Sequence, residues 1–455
     1  MKTLPTGRGR SSSESSDAAD METPFSSSQE AAGVHIPHRR PPQGAAPVRR
    51  KKLVLSLALA AVVLASLPLG ARGAFLLLQD QHAHTTIPVS TSHATVDATA
   101  VVPKSMDPDR RIARFVDQLL SQMSLQEELG QLIVVSFLGT TLTPDLQNMI
   151  AHQYAGGVML YGYNITSSTQ LKTLDAGAQA QARIPLLIAT DQEGGLVNRL
   201  LSIIGPVPSA LQVGNTNDPE NARKRGIQDG QELQKLGVNV DLAPVVDVHS
   251  APQTVIITRM FGTTPQKVET FASAYLDGLQ SQGVIGTLKH WPGLGASPVD
   301  PHDALPVITR SKQELNDIDF APYRALISQG NVNMIMSTHE LITAYDDQMP
   351  SSLSPILINQ VLRHDLGFQG VIITDGLYMG ALARWTIAQA AVLAFIAGND
   401  LLLGPWDSNE VQKVLNALEA AVASGQITKA RVDLSVERIL ALKIEEGLIK
   451  IPPGA

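Results

Sequence analysis

From residue 107 onward the chain alternates between two hydrophobic rhythms. Short, unbroken apolar and β-branched runs stand at Gln131–Phe137, Gly156–Leu160, Pro185–Thr190, Val238–Leu242, Gly283–Leu288, Asn333–Thr338, Gly370–Thr374 and Asp400–Leu403. A strand buried on both faces reads this way, because neither set of side chains meets water. Between these runs, apolar positions recur at helical spacing, as in Pro219–Leu236, Pro265–Gln282, Lys312–Gln329 and Ser354–Leu366. Strand runs separated by helices predict an α/β fold, a (β/α)8 TIM barrel occupying residues 107–455. A doubly wound open sheet is the competing arrangement. It lacks support here, since no glycine-rich phosphate fingerprint follows the first run.

The first 106 residues follow neither rhythm. Residues 1–48 are rich in Ser, Gly, Pro and charge, a composition that cannot bury enough apolar surface to offset its ordering entropy, so a disordered tail is expected. Residues 49–72 then hold Arg49-Arg50-Lys51-Lys52 followed by the apolar run Leu53–Ala71. Nineteen residues rising about 1.5 Å each span about 28 Å, close to the roughly 30 Å hydrocarbon layer of a bilayer. Basic residues before the run keep the tail on the cytoplasmic side and send the remainder outward. The expectation is one N-terminal transmembrane signal-anchor helix and a single-pass cell-membrane protein with an extracytoplasmic catalytic domain. A signal peptide cleaved to give a secreted protein, and a buried soluble helix, are the alternatives. Residues 73–106 read as an extracytoplasmic tether.

Composition narrows the function. Hydrophobic residues make up 44% and charged residues 17% of the 455, which suits a large buried core. A formal net charge of -7 gives no basic field for nucleic acid, so no nucleic-acid partner is expected. The chain has no cysteine, which removes disulfides, thiolate metal sites, a cysteine nucleophile and a lipid anchor on cysteine together.

Ionisable residues gather where the strand runs end. The third ends in Asp191-Gln192-Glu193-Gly194-Gly195, the fourth leads to Asp241 and Asp247, the fifth ends in Lys289-His290, the sixth in His339 and the seventh in Asp375. The carboxyl ends of barrel strands surround one pocket, so these side chains should converge there. Each taken singly could equally be a helix cap or a core ion pair. Metal-assisted hydrolysis would use Lys289, His339 and Asp375, but it needs a His-x-His pair after the first strand to supply two imidazole ligands. That segment is Val135-Ser136-Phe137-Leu138-Gly139, so no metal and no cofactor are expected.

Glycoside hydrolysis needs a carboxylate nucleophile beneath the sugar and a proton donor beside the leaving oxygen. Asp375, directly after Val371-Ile372-Ile373-Thr374, is placed for the first role. For the second, no equivalent carboxylate stands out. Asp300-Pro301-His302 offers an imidazole that a carboxylate could orient, although a loop aspartate beside a solvated histidine would look the same.

Several motifs together resemble glycoside hydrolase family 3, in its single-domain β-N-acetylhexosaminidase branch. They are Met123–Leu132 before the first strand, Asp191–Gly195 after the third, Asn239–Val248, Arg259-Met260-Phe261-Gly262, Lys289-His290-Trp291-Pro292-Gly293, Asp300-Pro301-His302 and Gly370–Asp375, in family order across residues 107–446. The resemblance implies a retaining exo-β-N-acetylglucosaminidase. Asp375 would form a covalent glycosyl-enzyme, and His302, oriented by Asp300, would serve as acid and then base. Asp191, Arg199, Arg259, Lys289 and His290 match family positions that bind the hydroxyls of the non-reducing sugar. The implied substrates are N-acetylglucosamine-containing cell-wall muropeptides or chitin-type oligosaccharides.

The sequence departs from the family pattern at four positions. Leu196 stands for an arginine, Leu294 for a histidine, Pro301 for a serine and Gly376 for an aspartate. Leu196 and Leu294 are expected to make the rim less polar, and Pro301 to stiffen its loop. A β-glucosidase or β-xylosidase of the same family is the nearest alternative. Asp300-Pro301-His302 and the lack of residues after Ala455 for a second domain weigh against it. A non-catalytic carbohydrate-binding barrel is the alternative outside enzymes.

Overall fold

The computed structural model describes residues 108–252 and 254–453. The tail, apolar run and tether expected over residues 1–106 lie outside the described residues. Among the described residues, no helix is long and apolar enough to cross a membrane.

Eight parallel strands form the centre: Ile133–Val135, Gly157–Leu160, Leu187–Thr190, Val240–Asp241, Ile285–Trp291, Met334–Ser337, Val371–Thr374 and Leu402–Leu403. In spatial order they run seventh, sixth, fifth, fourth, third, second, first, eighth. A bridge between Ile373 and Leu401 joins the two ends, so the sheet curls into the expected barrel. Every barrel strand is buried along its length, which explains the continuous apolar runs.

Most strands are shorter than the runs that announced them. Gln131 ends the helix Leu125–Gln131, and Ser136 donates its N–H to Pro405 outside the ladder. The fifth strand departs in the other direction. It continues through Trp291, so Lys289 and His290 belong to the strand itself. The helix expected over Lys312–Gln329 is widened to π geometry at Leu315–Asp319 before continuing as Phe320–Gln329. Pro322 follows that widening; its ring would crowd the Ile318 carbonyl in a regular helix, and it has no N–H to donate. Ile356–Asp365 is likewise π-helical.

The helices Pro219–Leu236 and Pro265–Gln280 begin as their sequences suggest. Asp218 and Thr264 accept N–H groups of the first turn, and proline takes the first helical position in each. The two helices approach closely through glycines. A Cβ on Gly278 would lie 2.2 Å from the Arg223 carbonyl oxygen, and one on Gly226 2.1 Å from that of Tyr275. The contact places the Tyr275 hydroxyl in the barrel wall, 3.1 Å from both Asp229 and Asp241 and 3.3 Å from the Gln192 carbonyl. Asp229 is ion-paired with Arg225, and Asp241 accepts the Gln192 N–H at 2.9 Å. The glycine contact therefore supports the segment that begins with Asp191.

Replacing Gly278 by Val should lower folding stability by about 3 kcal/mol, the cost of overpacking a rigid backbone contact. Denaturant unfolding monitored by circular dichroism measures it; an unchanged midpoint would show that the helices can separate without cost.

Candidate active site

At the carboxyl ends of the third, fourth and fifth strands, charged side chains link into one chain of contacts. The Arg199 guanidinium lies 3.3 Å from Asp191 Oδ2. Lys289 Nζ sits 2.6 Å from Asp191 Oδ1 and 2.6 Å from Glu193 Oε1. Arg259 grips Glu193 with two hydrogen bonds, Nε to Oε2 at 2.7 Å and Nη2 to Oε1 at 2.8 Å. Its Nη2 also reaches His290 Nε2 at 3.1 Å. Arginine can only donate, so that imidazole nitrogen accepts and the ring proton sits on Nδ1, 2.7 Å from Asp247 Oδ2. The other oxygen of Asp247 accepts the backbone N–H groups of His290 and Leu294 at 3.3 and 2.8 Å.

Burial raises carboxyl pKa values, but here neighbouring cations overcome it. Lys289 and Arg199 hold Asp191 far below the usual carboxylate range. Arg259 and Lys289 bring Glu193 down to about 2. Burial would likewise discharge Lys289, yet Asp191 and Glu193 raise its pKa instead. The ordinarily flexible ammonium is buried at 1% exposure and held by two carboxylates. The network thus holds charged donors and acceptors at fixed positions.

Asp375 follows the seventh strand across the barrel. Its N–H bonds the Ser337 carbonyl at 2.7 Å, extending the strand pairing by one residue. Its Oδ1 accepts the Gly376 N–H at 2.8 Å and its Oδ2 the Thr338 hydroxyl at 3.3 Å. Burial pushes this carboxyl up, but the imidazoles of His339, His290 and His302 and the Gly376 N–H hold it below its ordinary value. His339 is fully buried behind it. Its Nε2 donates to the Gly376 carbonyl at 3.0 Å and its Nδ1 accepts from Ser352 at 2.7 Å, while burial lowers its pKa.

The loop after the fifth strand carries Asp300 and His302. Asp300 Oδ1 takes both the His302 Nδ1–H at 2.8 Å and the His302 backbone N–H at 2.9 Å. This bond lowers the Asp300 pKa to about 2 and raises that of His302, with Asp375 adding to the rise. The His302 side chain is 59% exposed, so it remains open to a ligand. Its position comes from the backbone. The Gly380 N–H bonds the His302 carbonyl at 2.9 Å, and the Ala381 N–H bonds the Pro301 carbonyl at 3.0 Å. The loop with the Asp–His pair is thereby strapped to the loop that follows Asp375.

Asp191, Arg199, Arg259, Lys289 and His290 thus meet in one network, and Asp300, His302 and Asp375 stand at the strapped loops. Asp241 and His339 are fully buried and support the site from behind. Two members of the network, Glu193 and Asp247, had no individual role in the sequence reading. Glu193 lies two positions beyond Asp191, a spacing that puts both side chains on one side of extended backbone. The expected effect of Leu294 needs correction. It is 3% exposed, packed with Val245, Ile256 and Met260, so it cannot change the polarity of the rim. Leu196 does, at 85% exposure. Among the described residues no group of His, Asp and Glu is arranged to hold a metal ion.

Comparison with known proteins places the chain in a family. Residues 124–442 match the glycosyl hydrolase family 3 N-terminal domain. A β-hexosaminidase of Mycobacterium tuberculosis, LpqI, is 34% identical over 391 residues, covering 82% of this chain and 95% of that protein. A β-hexosaminidase of Nitrosomonas eutropha is 32% identical over 328 residues, covering 70% and 94%. A family 3 β-N-acetylglucosaminidase structure from Paenibacillus superposes with a TM-score of 0.70 at 34% identity; it covers 73% of this chain, which spans 65% of that structure's length.

Replacing Asp300 by Asn should lower the His302 pKa, because the bond that raises it is then made to a neutral amide. Nitrogen-15 NMR titration of the labelled imidazole reads this directly; an unchanged midpoint would mean that Asp300 does not set the basicity of His302.

Proposed function

Because the chain belongs to glycosyl hydrolase family 3, we propose that it is a retaining exo-β-N-acetylglucosaminidase in which Asp375 is the nucleophile and His302, oriented by Asp300, the acid and base. The observation that carries the reading is the strap between the Asp300–His302 loop and the loop of Asp375. It brings an exposed imidazole of raised pKa to the end of the pocket where a low-pKa carboxylate waits. The charged grip of Asp191, Arg199, Lys289, Arg259 and His290 takes the hydroxyls of the terminal sugar, with Glu193 and Asp247 holding its cations and imidazole in place. The relatives named as β-hexosaminidases support the choice of sugar.

In the first step an Asp375 oxygen attacks the anomeric carbon, and the glycosidic bond breaks as His302 passes its proton to the departing oxygen. In the second step neutral His302 takes a proton from water, and the resulting hydroxide displaces Asp375. Two inversions restore the β configuration. The raised His302 pKa keeps a protonated fraction present near neutrality, while the lowered Asp375 pKa keeps the nucleophile ionised.

An aryl β-N-acetylglucosaminide assay tests both roles. Asp375→Ala should abolish turnover, by about 10⁴-fold or more. His302→Ala should slow glycosides with poor leaving groups about 10²–10⁴-fold while affecting activated aryl glycosides less. Persistent activity in the first variant, or equal losses on both substrates in the second, overturns the assignment.

The proposal extends to location. The basic cluster Arg49–Lys52 and the apolar run Leu53–Ala71 support a single membrane anchor after a cytoplasmic tail, with residues 73–106 as a tether. The catalytic barrel would then act outside the cytoplasm on cell-wall muropeptides or chitin-type oligosaccharides. Full-length protein should sediment with membranes and deletion of residues 53–71 should release it; recovery of a shortened N-terminus in the soluble fraction would replace the anchor with a cleaved signal.

A further inference from the structure

Three loops at the rim contribute aromatic rings that the steps above do not use. Tyr161 and Tyr163 follow the second strand, Tyr378 follows Asp375, and Trp406 follows the eighth strand. Tyr161 lies 5.4 Å from Tyr163 and 5.4 Å from Trp406, centroid to centroid, with interplanar angles of 14° and 15°. Tyr163 and Trp406 are 6.5 Å apart. A straight stack with these spacings would place its outer rings about 11 Å apart, twice the usual ring separation. Tyr163 and Trp406 therefore both stack on the same face of Tyr161 and lie side by side there, 28° apart in plane. Tyr378 meets Trp406 edge-on at 5.2 Å, and its hydroxyl lies 3.0 Å from that of Tyr161.

The surface is partly open. Tyr163 is 40% and Tyr378 39% exposed, and Trp406 is half-buried. Asn164 ties the turn beside Tyr163 to the Phe137 and Gly139 carbonyls at 3.2 and 2.7 Å, bringing the exposed Leu138 to the same edge. Soluble proteins leave aromatic clusters open where an amphipathic ligand covers them.

Its place around the barrel identifies that ligand. The hydroxyl grip comes from the third, fourth and fifth strands, whereas Asp375 stands on the seventh. A sugar held by the grip with its anomeric carbon at Asp375 therefore points its leaving group over the loops of the seventh and eighth strands. Those loops carry Tyr378 and Trp406, and the loop of the seventh is also strapped to His302. A β-linked gluco-configured pyranose has equatorial substituents, so its axial C–H groups make both ring faces apolar. Such a face matches aromatic rings that lie side by side.

We propose that Tyr163, Trp406 and Tyr378 form the platform on which the reducing-side sugar ring of the substrate rests. The inference depends on the hydrolase reading above and adds the residues that hold the leaving group, a pyranose with equatorial substituents. Turnover gains from the platform only when the aglycone has a ring to place on it.

The test compares kcat/KM for diacetylchitobiose with that for trifluoroethyl β-N-acetylglucosaminide, whose leaving group has no ring. Combining Tyr163→Ala with Trp406→Ala should reduce chitobiose hydrolysis by about tenfold, the scale of one or two lost aromatic contacts, and change the trifluoroethyl glycoside by less than about twofold. Trp406→Phe with Tyr163 retained should recover most of the chitobiose rate. If the double variant fails to fold, Tyr163→Ala alone carries the comparison, with an expected loss of about threefold on chitobiose. Equal losses on both substrates, or no loss on chitobiose, overturn the platform and leave the hydrolase intact. Absence of turnover of either glycoside by the unaltered protein overturns the hydrolase reading and the platform with it.

Discussion

The ion network from Arg199 through Asp191, Lys289, Glu193 and Arg259 to His290 and Asp247 is the constraint around which the site is built. Lys289 lies between Asp191 and Glu193, Arg199 and Arg259 each hold one of these carboxylates from the outer side, and Asp247 holds the imidazole at the end. Isolated charges at this depth would be discharged by the cost of leaving water. Alternation removes that outcome. The pKa values of Asp191 and Glu193 fall and that of Lys289 rises, so these three stay charged. The members come from three strands and the loops beyond them, so barrel closure and charge balance require one another. Losing Lys289 alone would leave Asp191 and Glu193 facing each other with one arginine apiece and no cation between them.

The opposite side of the pocket follows a different rule. There the proposed nucleophile and the proposed acid and base are pushed apart in basicity by their own surroundings, Asp375 downward and His302 upward. Asp375 is fixed by the end of a strand and by N–H and hydroxyl donors. His302 is fixed by its loop backbone, leaving the imbalance of burial between the two to match their tasks. A carboxylate that attacks carbon needs constant position, whereas an imidazole that serves first a leaving oxygen and then water needs access. The strap through Gly380 and Ala381 reconciles these demands, because it restrains the loop without burying the ring.

The barrel was legible because its strands are buried on both faces and therefore appear as uninterrupted apolar runs. Their ends were less legible. A strand ends where the ladder loses its partner, as when Ser136 turns to Pro405, and no local pattern marks that event. The eight candidate site residues were readable from strand endings together with a family resemblance. Glu193 and Asp247 needed contacts over long sequence separations, 66 residues from Glu193 to Arg259 and 43 from Asp247 to His290, to acquire their roles. Leu294 misled for the same reason: a position beside a motif reads as rim until the packing around Val245 and Met260 is known. The aromatic surface left no local signature, since its four rings come from three separate loops.

That surface also gives the departure at Gly376 a structural meaning. A Cβ there would lie 2.6 Å from the Tyr378 ring, and one on Gly404 would lie 3.0 Å from it. Gly404 has φ +130°, a conformation that side chains resist independently of the contact. The two glycines come from neighbouring loops and together leave the space that Tyr378 fills. An aspartate at position 376 would have to displace that ring. The glycine beside Asp375 and the ring of Tyr378 are thus sterically linked. The consequence is electrostatic as well as steric. With no second carboxylate adjacent, Asp375 meets only the imidazoles, an N–H and a hydroxyl, and its charge is stabilised without a competing anion.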